Sequence, residues 1–205
     1  MNLIERAKNI LISPAKEWDV IINEDPNVKK ILTDYVLPLS IIASLTAFIG
    51  FGFIGFRNML GYQLNGIGWG FYYALLFFIV SVCTVYLTAF IVDRLALSFG
   101  SEKNFGRSFQ LVAYSYTAGW IGGLFQILPV IAFLGTILSL YGLYILYIGM
   151  PKLKYTPADK HIGYFVVTLI VLIAVYIVIG LILSAIMEPM FGLSYGGDNF
   201  RLDNY

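Results

Sequence analysis

Two stretches carry spacings that could do chemistry. Gly50-Phe51-Gly52-Phe53-Ile54-Gly55 reads G-x-G-x-x-G, the turn that sets a dinucleotide's pyrophosphate on a helix N-terminus. Gly192-Leu193-Ser194-Tyr195-Gly196 reads G-x-S-x-G, the elbow that presents a nucleophilic serine. Each fails in its context. The first needs an acid roughly 20 residues on to hold a ribose, and none occurs between Asp34 and Asp93. Its glycines lie in an apolar run where a pyrophosphate could not be solvated. The second needs an acid and then a histidine downstream; nine residues follow Gly196, none a histidine, and His161 lies upstream. One histidine and one cysteine are too few for a protein zinc site, which takes three or four ligands. Neither a G-K-[ST] phosphate loop nor an H-E-x-x-H pair occurs. The expectation is a non-enzyme without catalytic, cofactor or metal residues. The glycines at 50–55 are expected to let helices approach closely.

The remaining polar candidates cluster in "FQLVAYSYTAGWIGGLFQILP". Gln110, Tyr114 and Thr117 fall at helical spacing and form one stripe, suited to interhelical hydrogen bonds or to lining a watery path. Asp93 closes the preceding apolar run beside Arg94. Ionisable groups at membrane depth are functional candidates, and an antiparallel helix pair would bring Asp93 to the depth of Gln110 and Tyr114. Asp93 is therefore expected to turn inward to those residues, and Arg94 outward. Ser115, Gly119 and Gly123 recur every four residues, with Ala118 and Gly122 in a parallel row, the small-residue pattern of close helix packing. That packing could lie within the chain or between subunits.

The elements that must position these residues follow from composition. Hydrophobic residues make up 59% of the 205 and charged residues 12%, about half the share of a soluble domain, roughly 25%. Mean hydropathy is +0.81. Tyr35 to Phe56, Asn58 to Val92, Ser108 to Pro151 and Ile162 to Met187 are free of charge. A membrane helix needs about 20 apolar residues, so the fold class is all-α and polytopic. The 44-residue run from Ser108 to Pro151 is long enough for two crossings, with Pro129 as the hinge. Five transmembrane helices are predicted, near 35–56, 68–92, 109–128, 130–150 and 162–187.

Lysine and arginine set the orientation. Eleven fall in the N-terminal segment and in the loops after the second and fourth spans; Arg57 and Arg201 fall on the other side. The N-terminus is expected in the cytoplasm and the C-terminus outside, with 188–205 a flexible external tail. No early apolar core of a cleavable signal is visible, so the first span is expected to direct insertion. Residues 1–34 form a cytoplasmic segment with two short amphipathic helices. Leu3, Ala7, Ile10 and Leu11 make one stripe; Ala15, Trp18, Ile21 and Ile22 make another, with Ser13 and Pro14 as start signals. These helices either lie in the membrane surface with Trp18 as interfacial anchor or pack on the protein's own cytoplasmic face. A net charge of +1 gives no reason to expect nucleic-acid binding.

"NILISPAKEWDVI" at 9–21, "GSEKNFGRSFQLVAYSYT" at 100–117 and "YILYIGMPKLKYTP" at 144–157, in that order, resemble the prokaryotic branch of the Yip1 family. Pro14 with Trp18, and Ala113-Tyr114-Ser115, are the clearest markers. Many relatives carry a proline just after the Tyr-Ser element, where this chain has Ala118. The long N-terminal region and Asp-Leu-Tyr-Gly-Pro motif of the eukaryotic trafficking members are absent, so their Rab-binding role is not implied. The resemblance implies five spans, a cytoplasmic N-terminus and an inner-membrane protein without an assigned reaction. The expected function is non-enzymatic interaction or membrane organisation, with the lipid bilayer, a protein partner or a second copy as partners. The alternative is a small-solute or lipid transporter with a polar path along Asp93, Gln110, Tyr114 and Thr117.

Overall fold

The computed structural model describes residues 2–57, 63–64, 66–128 and 131–191. Helix α1 (Leu3–Ile12) begins where the Asn2 side chain accepts from the N–H groups of Ile4 and Glu5, satisfying two of the orphan donors at a helix start. Helix α2 (Pro14–Ile21) follows at once. Pro14 occupies its first turn as expected, but Ser13 makes no side-chain cap. Between them the two helices bury Ala7, Ile10, Trp18 and Ile21.

The first long helix, α3 (Val28–Ile54), is 27 residues and is not uniform. Its turns widen to π geometry at Leu32–Val36 and Gly50–Ile54. The first widening precedes Pro38, which has no N–H to donate and whose ring crowds the carbonyl four residues back; a wider turn relieves both. The second ends at Gly55, whose φ of +78° is open to glycine at little cost. A short antiparallel pair, β1 (Phe56–Arg57) and β2 (Gln63–Leu64), then leads into α4 (Ile67–Ala96). Helices α7 (Ala132–Leu153) and α8 (Ala158–Phe191) complete the long elements. Among the described residues, four helices are long and apolar enough to cross a membrane: Val28–Ile54, Gly70–Phe99, Ala132–Leu153 and Ala158–Val178.

The predicted span at 109–128 differs from the others. It is broken into α5 (Phe105–Ser115), a turn at Tyr116, α6 (Thr117–Gly123) and a 3-10 turn at Leu124–Ile127. The break has a local cause. Ser115 Oγ donates to the Leu111 carbonyl at 2.8 Å and Thr117 Oγ1 to the Tyr114 carbonyl at 2.6 Å, and side chains that capture helix carbonyls loosen the backbone ladder. Three glycines follow within seven residues, each a poor helix former. Every residue from Ser108 to Ser115 is buried, so this segment is the core around which the apolar helices stand.

Contacts at both ends show the segment running the height of the bundle. Tyr35 of α3 meets Thr117, Ala43 meets Gly123, and Gly50 meets the Gln126 carbonyl. Against α7 it runs antiparallel: Leu111 meets Gly149, Ser115 meets Gly142 and Gly122 meets Gly135. Pro129, residues 192–205 with Gly192–Gly196 and Arg201, and most of the expected tail lie outside the described residues. Residues 188–191 continue α8 rather than starting a tail.

Candidate functional site

Asp93 is buried near the end of α4 but is not held by the expected partners. Its Oδ1 accepts from Ser108 Oγ at 3.3 Å and from Lys154 Nζ at 3.4 Å. Lys154 follows the last residue of α7, is fully buried, and also donates to the Asn104 carbonyl at 3.2 Å. Burial pushes its ammonium below the ordinary lysine value, and Asp93 and Glu102 pull it back. Tyr164 of α8 closes the cluster by donating to the Val92 carbonyl. This corrects the pairing of Asp93 with Gln110 or Tyr114: Ser108, two residues before Gln110 and so on the other side of α5, faces the carboxylate, while Gln110 and Tyr114 turn to Arg107 and Arg6. Arg94 lies over the Phe90 ring at 4.7 Å.

Gln110, Tyr114 and Thr117 do form one stripe, and it faces the N-terminal helices. Arg107 donates to Gln110 Oε1 at 2.9 Å and to the Glu24 carbonyl at 3.0 Å, tying α5 to the segment after α2. Tyr114 packs edge-on against Tyr35, ring centroids 4.9 Å apart, and Arg6 stands 5.4 Å over its ring. Thr117 Oγ1 is 2.6 Å from the Tyr35 hydroxyl. Arg6 itself is buried and paired with Glu17 and Glu24. The four-residue polar cluster expected from the sequence is thus two clusters on different faces of α5.

Trp18 is not an interfacial anchor. Its side chain is fully buried, and its indole N–H donates to the Ile145 carbonyl of α7 at 3.1 Å. The ring lies on Gly149, where a β-carbon would stand 2.6 Å from Trp18 Cε2. Only a glycine leaves room for the ring, so α2 is keyed into α7. Of the two placements open from the sequence, the N-terminal helices take the protein surface. The physical reason is that Gly149 and an accepting carbonyl offer the indole both its contact area and its hydrogen bond.

The small residues of the third segment do not act as one face. A β-carbon on Gly122 would fall 2.6 Å from the Gly135 carbonyl oxygen, and one on Gly142 would fall 2.8 Å from the Ser115 carbonyl oxygen. Gly123 turns to α3, with Ala43 Cβ at 3.1 Å. Gly119 meets only Ser139 Oγ, at an ordinary 3.7 Å. The tight row is therefore Ser115, Ala118 and Gly122 against α7, and Gly119 belongs to neither packing face. The glycines at 50–55 serve close approach: Gly50 against the Gln126 carbonyl and Gly52 against Gly70.

Gly119 borders two adjoining clefts of about 680 and 380 Å³. Both are lined by Tyr116, Gly119, Ser139 and Tyr176. The Tyr116 and Tyr176 hydroxyls are 2.7 Å apart, and Thr88 Oγ1 is 3.1 Å from Tyr116. Neither cleft is lined by Asp93, Gln110, Tyr114 or Thr117. Arg6, Lys154, Tyr35 and Tyr176 were missed in the sequence. Arg6 and Lys154 look there like ordinary surface charges, and the tyrosines like ordinary members of apolar runs.

Comparison with known proteins agrees with a multi-pass membrane protein. No solved structure matches the chain. Two Escherichia coli relatives, inner membrane protein YohC of strain K12 and its counterpart in strain O6:H1, are each 27% identical over 144 residues. The match covers 68% of this chain and 73% of each relative. The Yip1 domain model matches residues 8–187, which takes in the keyed Trp18, the broken central segment and all four long helices, and the chain belongs to the Yip1 family.

Proposed function

We propose that this chain is a non-enzymatic interaction and membrane-organising protein of the inner membrane. In this reading it crosses five times, with its N-terminus in the cytoplasm and its C-terminus outside. The observation that carries the reading is the outer surface of the cap formed by α1 and α2. Its inner side is committed to the bundle through Trp18 and Arg6, while Ile4, Ile12 and Val20 stand 76%, 70% and 53% exposed on the other. Branched apolar side chains held outward on a fixed support fit a partner surface better than bulk water. The polar residues that could have served a reaction are engaged in internal bonds, and the transport path along Asp93, Gln110, Tyr114 and Thr117 has no cleft beside it among those described.

Five crossings are supported by the height of the central segment, which α3 follows in parallel and α7 in the antiparallel sense along its length. A segment buried among other helices needs less apolar surface than a lipid-facing one, so its modest hydropathy is no obstacle. Reporter fusions at residues 129 and 205 are expected outside and one at 156 inside. Photocrosslinking residues placed at positions 4, 12 and 20 in cells test the function. One discrete protein adduct, lost in Trp18→Ala, is expected. Adducts to lipid alone at all three positions sink the interaction reading.

A further inference from the structure

The two clefts lie where the central segment breaks. Tyr116 stands near the middle of 105–127, Thr84 near the middle of α4 with Thr88 one turn further on, Ser139 near the middle of α7 and Tyr176 near the middle of α8. Their hydroxyls therefore lie in the interior length of the bundle rather than at its ends, with Ser139 Oγ bonded to the Gly135 carbonyl of its own helix. Tyr116 bonds Tyr176 and Thr88, and Thr84 reaches Tyr176. The remaining lining is mostly apolar or aromatic, with Ser81, Gln126 and Thr136 in the larger cleft and Ser115 in the smaller, and among the described residues no Asp, Glu, Lys or Arg borders either cleft. Gly119 holds this space open, since a larger side chain there would enter it rather than meet a helix. The larger cleft is within the range of small-molecule sites, about 300–1,000 Å³.

These features select a class of occupant. A phosphate or carboxylate at this depth would have no counter-charge, and burying an unpaired charge is prohibitive. A wholly apolar chain would leave hydroxyls of the break facing hydrocarbon without added partners. We propose that the joined clefts bind an uncharged amphiphile, a long apolar chain ending in a hydroxyl or carbonyl, with that end on Tyr116 and Tyr176 and the chain in the larger cleft. Tyrosine and threonine hydroxyls both donate and accept, so either terminal group is served. The site is independent of the cap surface and stands or falls separately from it.

Trp120 supplies the readout. It lines the larger cleft and its indole N–H donates to Ser81 Oγ. Trp18 is fully buried under the cap and gives a constant background. The full chain carrying Trp69→Phe is placed in phosphatidylcholine vesicles and titrated with dibromostearyl alcohol. Dibromostearate and a dibromophosphatidylcholine are run alongside. The alcohol is expected to quench Trp120 saturably, the two charged-headgroup probes only in proportion to their share of the bilayer. Tyr116→Phe combined with Tyr176→Phe should weaken the alcohol roughly five- to tenfold, the scale of one hydrogen bond lost, while melting stays within a few degrees. Gly119→Leu should abolish the saturable phase without unfolding the protein. Equal, non-saturable quenching by all three probes overturns the proposal, as does an unchanged alcohol affinity in the folded double tyrosine variant.

Discussion

The two halves of the broken central segment are built from similar residues and do opposite things. In α5 every polar side chain is turned to a partner: Ser108 to Asp93, Gln110 to Arg107, Tyr114 to the Arg6 side of the cap. In α6, Gly122 brings the backbone against Gly135 while Gly119, three residues earlier, meets only Ser139 Oγ at ordinary contact distance and borders the clefts. The first half is a lock and the second a hinge of small residues beside a cleft. Small and polar residues in a membrane helix therefore do not have one meaning; the facing helix decides whether a glycine is contact or vacancy.

The largest expected effect breaks the tight side of that contrast. Gly122→Leu drives a side chain into the Gly135 backbone, which has no flexible end to yield. Loss of the folded monomer in mild detergent is expected, and a near-normal melting curve would show that α6 and α7 do not meet there. Asp93→Asn comes next. It leaves the buried Lys154 ammonium without its counter-charge, and breaking a buried pair from one side costs about 3–5 kcal/mol. Adding Lys154→Met should recover most of the loss in thermal melts; no recovery would mean that the pair is incidental.

Trp18→Phe keeps most of the ring area and removes the bond to the Ile145 carbonyl. A loss of about 1 kcal/mol is expected, read as faster proteolysis within residues 1–34 while the bundle stays intact. Gly119→Leu should change stability least, because the new side chain enters the cleft. A fall as large as that of Gly122→Leu would erase the distinction between the two halves.

Much of this was legible in the chain and some could not be. Charge segregation gave the membrane class, and short ordered motifs gave the family resemblance. The apolar stripes of α1 and α2 were readable because the helical period is local. What covers Trp18 was not, because Gly149 and Ile145 lie on a helix far along the sequence. The same holds for Asp93: the inward turn follows from its depth, but the choice between Gln110 on the next helix and Lys154 depends on how α5 and α7 are rotated. The glycine row showed that something packs closely there, yet which glycine touches backbone depends on Gly135 and Gly142 across the interface. Hydropathy marks a span at 109–128 but does not register side chains that capture carbonyls, so the break inside it is not legible.

The Trp18 key also sets an order of events. The indole belongs to α2, and the carbonyl that receives it is synthesised 127 residues later. At 5–20 residues per second, roughly 6–25 s pass between the two. During that interval the N-terminal helices have no Gly149 to close on, and their apolar stripes are open to chaperones or to the membrane surface. Docking of the cap can only follow insertion of α7, so its closure marks a nearly finished bundle. A chain stalled before α7 would keep α1 and α2 undocked, a signal that quality control could read.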